Sequence, residues 1–184
     1  MKPHQSVQLT ASRLEIGYSN DFILTIDNLA LTGNIIALAG HNGAGKSTFM
    51  KGLLGLLPMR SGTLSVTDTS QSIHLLPEQH MAFCPESGSV FADITVAEYL
   101  ALWCRLKRRN ARYLYEEGKE LIEFLEIGPL LKRKGRELSK GQKQRVQTAA
   151  GFFSNPKLFL FDEPFDGLDV QRTHELMQLI REKS

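Results

Sequence analysis

Apolar positions in this chain fall into short clusters whose spacing lengthens from two toward 3.6 residues along the sequence. Val7 to Leu9 and Leu14 to Tyr18 are brief apolar runs, and in Phe22 to Leu31 the residues Phe22, Leu24 and Ile26 share one side of a period-2 pattern. These predict strands of a small, partly antiparallel sheet. Ile35 to Ala39 is denser and ends in glycine, the pattern of a strand buried on both faces of a parallel sheet. A helix is expected from Lys46 to Leu57, stopped by Pro58. Residues 67–79 are polar and read as loop, with a short strand at Ile73 to Leu76, and Met81 to Cys84 predicts another buried strand ending at Pro85.

Beyond Pro85 the helical period takes over. Thr95 followed by Glu98 is a capping-box pattern, and Val96, Tyr99, Leu100, Trp103 and Leu106 recur at helical spacing. Further helices are expected around Tyr113 to Glu126, Ser139 to Phe153 and Val170 to Lys183, with an all-apolar strand at Leu158 to Phe161. Near-continuously hydrophobic strands separated by helices predict an α/β domain with a parallel sheet. The helical middle, residues 87–136, reads as an inserted subdomain, leaving 1–86 and 137–184 as the core.

Composition narrows the class. With 184 residues, 42% of them hydrophobic, the chain has length for one domain carrying a small subdomain. Its 22 Lys and Arg against 20 Asp and Glu leave a formal charge of +2, too small to announce a nucleic-acid or anionic-membrane binder, so charge alone decides little and a nucleic-acid partner is not expected. The two cysteines, Cys84 and Cys104, and the five histidines show no metal-ligand spacing, and a reducing, cytoplasmic setting is expected. The longest uncharged stretch, Asn28 to Gly45, is interrupted by Gly33, Asn34, Gly40, His41, Asn42 and Gly43, so it does not read as a membrane span. Met1-Lys2-Pro3-His4 does not open a secretion signal. Any membrane role is therefore expected to come through a partner.

Gly40-His41-Asn42-Gly43-Ala44-Gly45-Lys46-Ser47 fits G-x-x-x-x-G-K-[ST] between an expected strand and an expected helix, whose start includes Thr48. Small residues let backbone N–H groups curl around phosphates, and a helix start presents about half a positive charge toward them. Lys46 adds a full charge, and the Ser47 hydroxyl can ligate Mg²⁺. Leu158-Phe159-Leu160-Phe161-Asp162-Glu163-Pro164 then sets two carboxylates at a strand end, where open parallel sheets gather ligand sites. Asp162 is suited to Mg²⁺ and Glu163 to accepting a proton from an attacking water. Together they point to ATP hydrolysis rather than binding alone.

Leu138-Ser139-Lys140-Gly141-Gln142 precedes a helix with a Val146, Ala149, Ala150 and Phe153 stripe. Ser139 and Gln142 form an ordinary capping box, and Ser139 with the Gly141 N–H could also receive a phosphate from another molecule. Both readings stand on these residues.

In this order the segments resemble the ATP-binding cassette family. Gly40 to Ser47 is similar to its phosphate loop, Leu138 to Gln142 to its signature, Leu158 to Glu163 to its Mg²⁺ and catalytic strand, and Asp166-Gly167-Leu168-Asp169 to its subunit-contact loop. Tyr18 matches the aromatic residue that stacks on adenine. The resemblance implies a P-loop NTPase: a RecA-like parallel-sheet core, an N-terminal antiparallel β subdomain and an inserted α-helical subdomain. It also implies ATP and Mg²⁺ as cofactors, a second ATP-binding subunit closing head to tail over two ATP molecules, and a membrane-spanning permease subunit. The chain would sit in the cytoplasm, peripheral on the inner face of the membrane.

Three departures qualify this. Glu86 stands where the family usually has glutamine, keeping an oxygen for Mg²⁺ or the attacking water and so a catalytic or metal role. Lys140 replaces a usual glycine. The family's further central strand and switch histidine have no counterpart up to Ser184, so the expectation is a fragment of a longer protein, or a fold that a partner completes, with exposed sheet surface and weak or absent ATPase of its own. His174 is too near Glu163 to be that histidine and is expected to face solvent. Phe91 to Leu100 and Ser139 to Arg145 look most like bacterial exporter cassettes. The rival classes are an ABC-type ATPase acting on nucleic acid or ribosomes, and a nucleotide-sensing module without hydrolysis.

Overall fold

Buried apolar residues occupy odd positions up to Ala11 (Val7, Leu9, Ala11) and even positions from Leu14 (Leu14, Ile16). In a strand that change of parity requires one extra residue, or half the set would face solvent. In the computed structural model, which describes residues 6–19, 22–86, 89–106, 114, 116, 118–165 and 170–183, the two expected runs are one strand, β1 (Val7–Ser19), carrying that extra residue. Ser12 pairs with Thr63 and Glu15 with Ser61, so Arg13 and Leu14 together oppose Gly62. Arg13 takes the left-handed φ of 46° at this bulge. Leu14 and Ile16 are thereby fully buried, stabilising the fold by about 2 kcal/mol each.

The chain divides into two units, Met1–Met81 with Gln171–Ser184, and Ala82–Val170. In the first, β1 pairs antiparallel with β2 (Phe22–Gly33) and β3 (Met59–Asp68), and β4 (Ile73–His74) completes the order β2-β1-β3-β4. Strand β3 extends into the stretch read as loop. The fully buried Asp68 caps the turn that follows by accepting from the Ser70 N–H at 2.9 Å and its hydroxyl at 2.5 Å. A short α2 (Pro77–His80) also lies in that stretch.

Helix α1 (Lys46–Leu53) stops four residues before the expected Leu57. Gly55, at φ 67°, ends it: the Gly55 N–H donates to Gly52 O and the Leu56 N–H to Lys51 O, a Schellman closure. Gly52 lies against Ile16 of β1, where an added Cβ would stand 2.4 Å from Ile16 Cδ1 and make that side chain shift.

Ile35 to Ala39 corrects the sequence expectation most sharply. It is not a buried strand: among the described residues none pairs with it, and Ile35 is 54% and Leu38 39% exposed. A strand buried on both faces needs neighbours at both edges to satisfy its N–H and C=O groups. With no ladder alongside, the apolar pattern cannot hide itself.

In the second unit β5 (Met81–Cys84) and β6 (Leu158–Phe161) form a two-stranded parallel sheet, extended where the Asp162 N–H donates to Cys84 O at 2.9 Å. Strand β6 is half-buried rather than fully enclosed. The Cys84 thiol is buried, which pushes its pKa up to about 11. Helix α3 (Val96–Leu106) starts at the expected capping box, where the Thr95 N–H and hydroxyl donate to Glu98 at 2.7 and 2.8 Å and hold its carboxyl below the usual range. Residues 131–136 zip onto 92–97 through backbone bonds that include Val96 N–H to Arg133 O and Gly135 N–H to Ile94 O. Helix α4 is shorter than expected, Lys119–Phe124, and part of its expected start lies outside the described residues. Helix α5 (Lys140–Phe153) matches its pattern, as does α6 (Val170–Lys183), which belongs to the first unit from Gln171 on and buries Leu176 and Leu179.

Candidate nucleotide site

The phosphate-loop residues are built by two glycines in the left-handed region, Gly43 at φ 83° and Gly45 at φ 93°. A Cβ at Gly43 would meet nothing within 4 Å, so its glycine answers to backbone shape, whereas at Gly40 a Cβ would press on Ala44 at 3.2 Å. Gly45 is the N-cap of α1 and, having no side chain, leaves the first-turn N–H groups without a side-chain cap. Lys46 turns back over the loop and donates to Gly40 O at 2.8 Å and His41 O at 3.1 Å. The His41 ring approaches Asn42 O at 2.8 Å, and the Ala44 N–H donates to His41 O at 3.1 Å. The loop is thus closed by its own groups, with an ammonium that has three donors and spends two here. Ser47 and the buried Thr48 follow on the first turn of α1.

Tyr18, in the same unit, is 61% exposed, an available face for stacking. The Lys51 ammonium of α1 donates to the Tyr18 hydroxyl at 2.8 Å and stands 5.5 Å from the ring centroid. It fixes the ring's edge and leaves the ring exposed. Nothing in the sequence singles out Lys51.

In the second unit, Asp162 at the end of β6 is buried, 6% exposed, while Glu163 beside it is exposed. Glu163 adopts φ 50°, a left-handed conformation that costs a non-glycine residue about 1–2 kcal/mol. Its position is held by what surrounds it, not by its own preference. Behind the strand Phe159 stacks on Phe161 at 4.0 Å and meets Phe152 edge-on at 4.9 Å.

Ser139 caps α5 as the sequence predicts: the Gln142 N–H donates to Ser139 Oγ at 3.2 Å, and the Ser139 N–H donates to Gln142 Oε1 at 3.0 Å. Accepting a bond still leaves the hydroxyl its own hydrogen to donate. A Cβ on the exposed Gly141 would meet nothing within 4 Å. Glu86, two residues past β5, brings its carboxylate to 3.5 Å from the Lys140 ammonium. Asp166 to Asp169 lie outside the described residues, and His174 is exposed on α6 as expected.

The family model for ABC transporters matches residues 26–166. This chain belongs to the ABC transporter family. Its ATP-binding domain is 33% identical over 162 residues to the sn-glycerol-3-phosphate import ATP-binding protein UgpC of Escherichia coli K12, covering 86% of this chain and 45% of that protein. It is 32% identical over 155 residues to the sulfate/thiosulfate import ATP-binding protein CysA of Mesorhizobium japonicum, covering 82% of this chain and 45% of that protein. The chain therefore spans about half the length of these relatives. Among solved structures, an ATP-binding subunit of an ABC transporter superposes with a TM-score of 0.71 at 29% identity, over 96% of this chain and 74% of that one. A bacterial Atm1-family ABC exporter with ATP bound shares the fold, with a TM-score of 0.71 at 21% identity over 98% of this chain and 33% of that one. The fold is that of P-loop NTPases.

Mg²⁺ is a hard cation that takes oxygen ligands. Among the described residues no group of three or more His, Cys, Asp or Glu could hold a metal by itself. Mg²⁺ suits such sparse sites, being bound through one or two protein oxygens together with substrate phosphates and water. Ser47 in the first unit and Asp162 in the second each carry an oxygen of that kind. No helix among the described residues is long and apolar enough to cross a membrane.

Proposed function

We propose that the chain is the ATP-binding and ATP-hydrolysing part of a subunit that powers an ABC transporter through ATP-driven closure of a dimer. The observation that carries this reading is the Gly40–Ser47 loop, where two left-handed glycines bring backbone N–H groups and Lys46 to the uncapped start of α1. ATP would be held by that loop and Thr48, with its base on Tyr18 and Lys51 steadying the ring. Mg²⁺, when bound, neutralises charge on the phosphate oxygens, and Ser47 and Asp162 would hold it. Glu163 is assigned the proton of the attacking water. Ser139, Gly141 and Gln142 are assigned to a nucleotide carried by a second ATP-binding subunit. The motion would pass to a membrane-spanning permease subunit, placing the chain in the cytoplasm on the inner face of the membrane.

Transport direction has two readings, each with its own support. The segments Phe91 to Leu100 and Ser139 to Arg145 resemble exporter cassettes, whereas the relatives in Escherichia coli and Mesorhizobium japonicum are named for import. Substrate accumulation in right-side-out against inverted vesicles separates them.

Light scattering on the full-length protein carrying Glu163→Gln tests the closure itself. The substitution removes the proposed base and keeps its shape. A monomer that becomes a dimer only with Mg-ATP is expected. Persistent monomer with ATP demonstrably bound would sink the dimer mechanism.

A further inference from the structure

Helix α5 begins with a charge its own dipole opposes. Lys140 is the first helical residue and Lys143 sits in the same turn, while that turn holds no acidic residue. The start of a helix carries partial positive charge, so a cation there is unfavourable and an anion favourable. An anion reaches it from 54 positions earlier in the chain, where the Glu86 carboxylate lies 3.5 Å from Lys140 Nζ. The Glu86 and Lys140 side chains are half exposed, at 52% and 58%, so the pair can open at small cost. Each residue taken separately is an unexplained departure in a binding motif. Together their charges cancel, and they join the segment after β5 to the first turn of α5.

We propose that Glu86 and Lys140 are a positioning pair: the ion pair ties the loop after β5 to the start of α5, setting where Ser139 and Gly141 stand before nucleotide arrives. The inference rests on the ATPase reading above and reassigns Glu86 from Mg²⁺ or water to Lys140. Its logic separates it from two independent charges near phosphate. Independent charges act in opposite directions, since neutralising Glu86 would favour an anion and neutralising Lys140 would disfavour it. Partners act in the same direction, and losing both costs less than the product of the two single losses.

The experiment is a cycle on the full-length protein, measuring KM for ATP and kcat for the parent, Glu86→Gln, Lys140→Gln, the double variant, and the reversed pair Glu86→Lys with Lys140→Glu. Each single substitution is expected to raise KM about threefold, the size an exposed ion pair supports. The double variant is expected at the same threefold, and the reversed pair back within about 1.5-fold of the parent. High salt should narrow the gap between parent and single variants. Opposite shifts in the two singles, a ninefold double, or a reversed pair worse than the double would overturn the pairing. A parent without turnover, or turnover that survives Lys46→Ala, would overturn the ATPase reading and this inference with it.

Discussion

Lys46→Ala is expected to cut ATP turnover by the assembled transporter at least a hundredfold while leaving the fold's stability within about 0.5 kcal/mol of the parent. The two halves of that expectation come from different features of the same side chain. In the structure Lys46 donates to Gly40 O and His41 O, carbonyls on exposed residues. Without the ammonium, water can satisfy them, so folding loses little. Toward a triphosphate the loss is of another order. A charge-assisted hydrogen bond contributes about 1.5–3 kcal/mol to binding, and a donor aimed at charge that grows in the transition state is worth a further 10²–10³ in rate. Turnover by coupled assay and unfolding by urea, run on the same preparations, check both. If Lys46 serves only to close its own loop, turnover will survive the substitution and the phosphate reading falls.

How much of this could be read in the sequence depends on whether the responsible contacts are local. The helix starts at Thr95–Glu98 and Ser139–Gln142 were legible because a capping box spans four residues and carries its own reason. The end of α1 was misread by choosing Pro58 over Gly55, although a glycine a few residues earlier offers the commoner stop. Strand β3 was missed because its apolar residues are few, and what makes it a strand is pairing with β1 across a bulge, a partner some fifty positions away. Ile35 to Ala39 fails in the opposite sense: its pattern is that of a buried strand, yet among the described residues nothing lies alongside to bury it.

The chemistry followed the same division. The phosphate loop and the acidic pair are proposed from motifs alone, since their spacing is local. The left-handed backbone of Glu163, the grip of Lys51 on Tyr18 and the pairing of Glu86 with Lys140 were not legible. Each is a relation between distant or strained groups to which no periodicity points.

Gly62→Ala is expected to destabilise the protein by about 3 kcal/mol, a large effect for a single methyl outside the nucleotide site. A Cβ there would stand 2.1 Å from Arg13 O and 2.4 Å from Ser12 O, atoms of backbone that cannot rotate aside. Gly62 also sits at φ 80°, which an alanine adopts at a cost of about 1–2 kcal/mol before any clash. Relief requires moving the bulge, and the bulge sets the phase that buries Leu14 and Ile16. Gly141→Ala is the control of opposite sign. Its added Cβ meets nothing within 4 Å, and alanine in a helix gains up to about 1 kcal/mol over glycine. Denaturant midpoints should therefore move apart, down for Gly62→Ala and level or up for Gly141→Ala. Midpoints that fall together would show the bulge to be more pliable than its geometry implies. If Gly141→Ala stabilises the fold yet weakens ATP-driven association, the glycine answers to a surface outside this chain, as its place beside Ser139 leads one to expect.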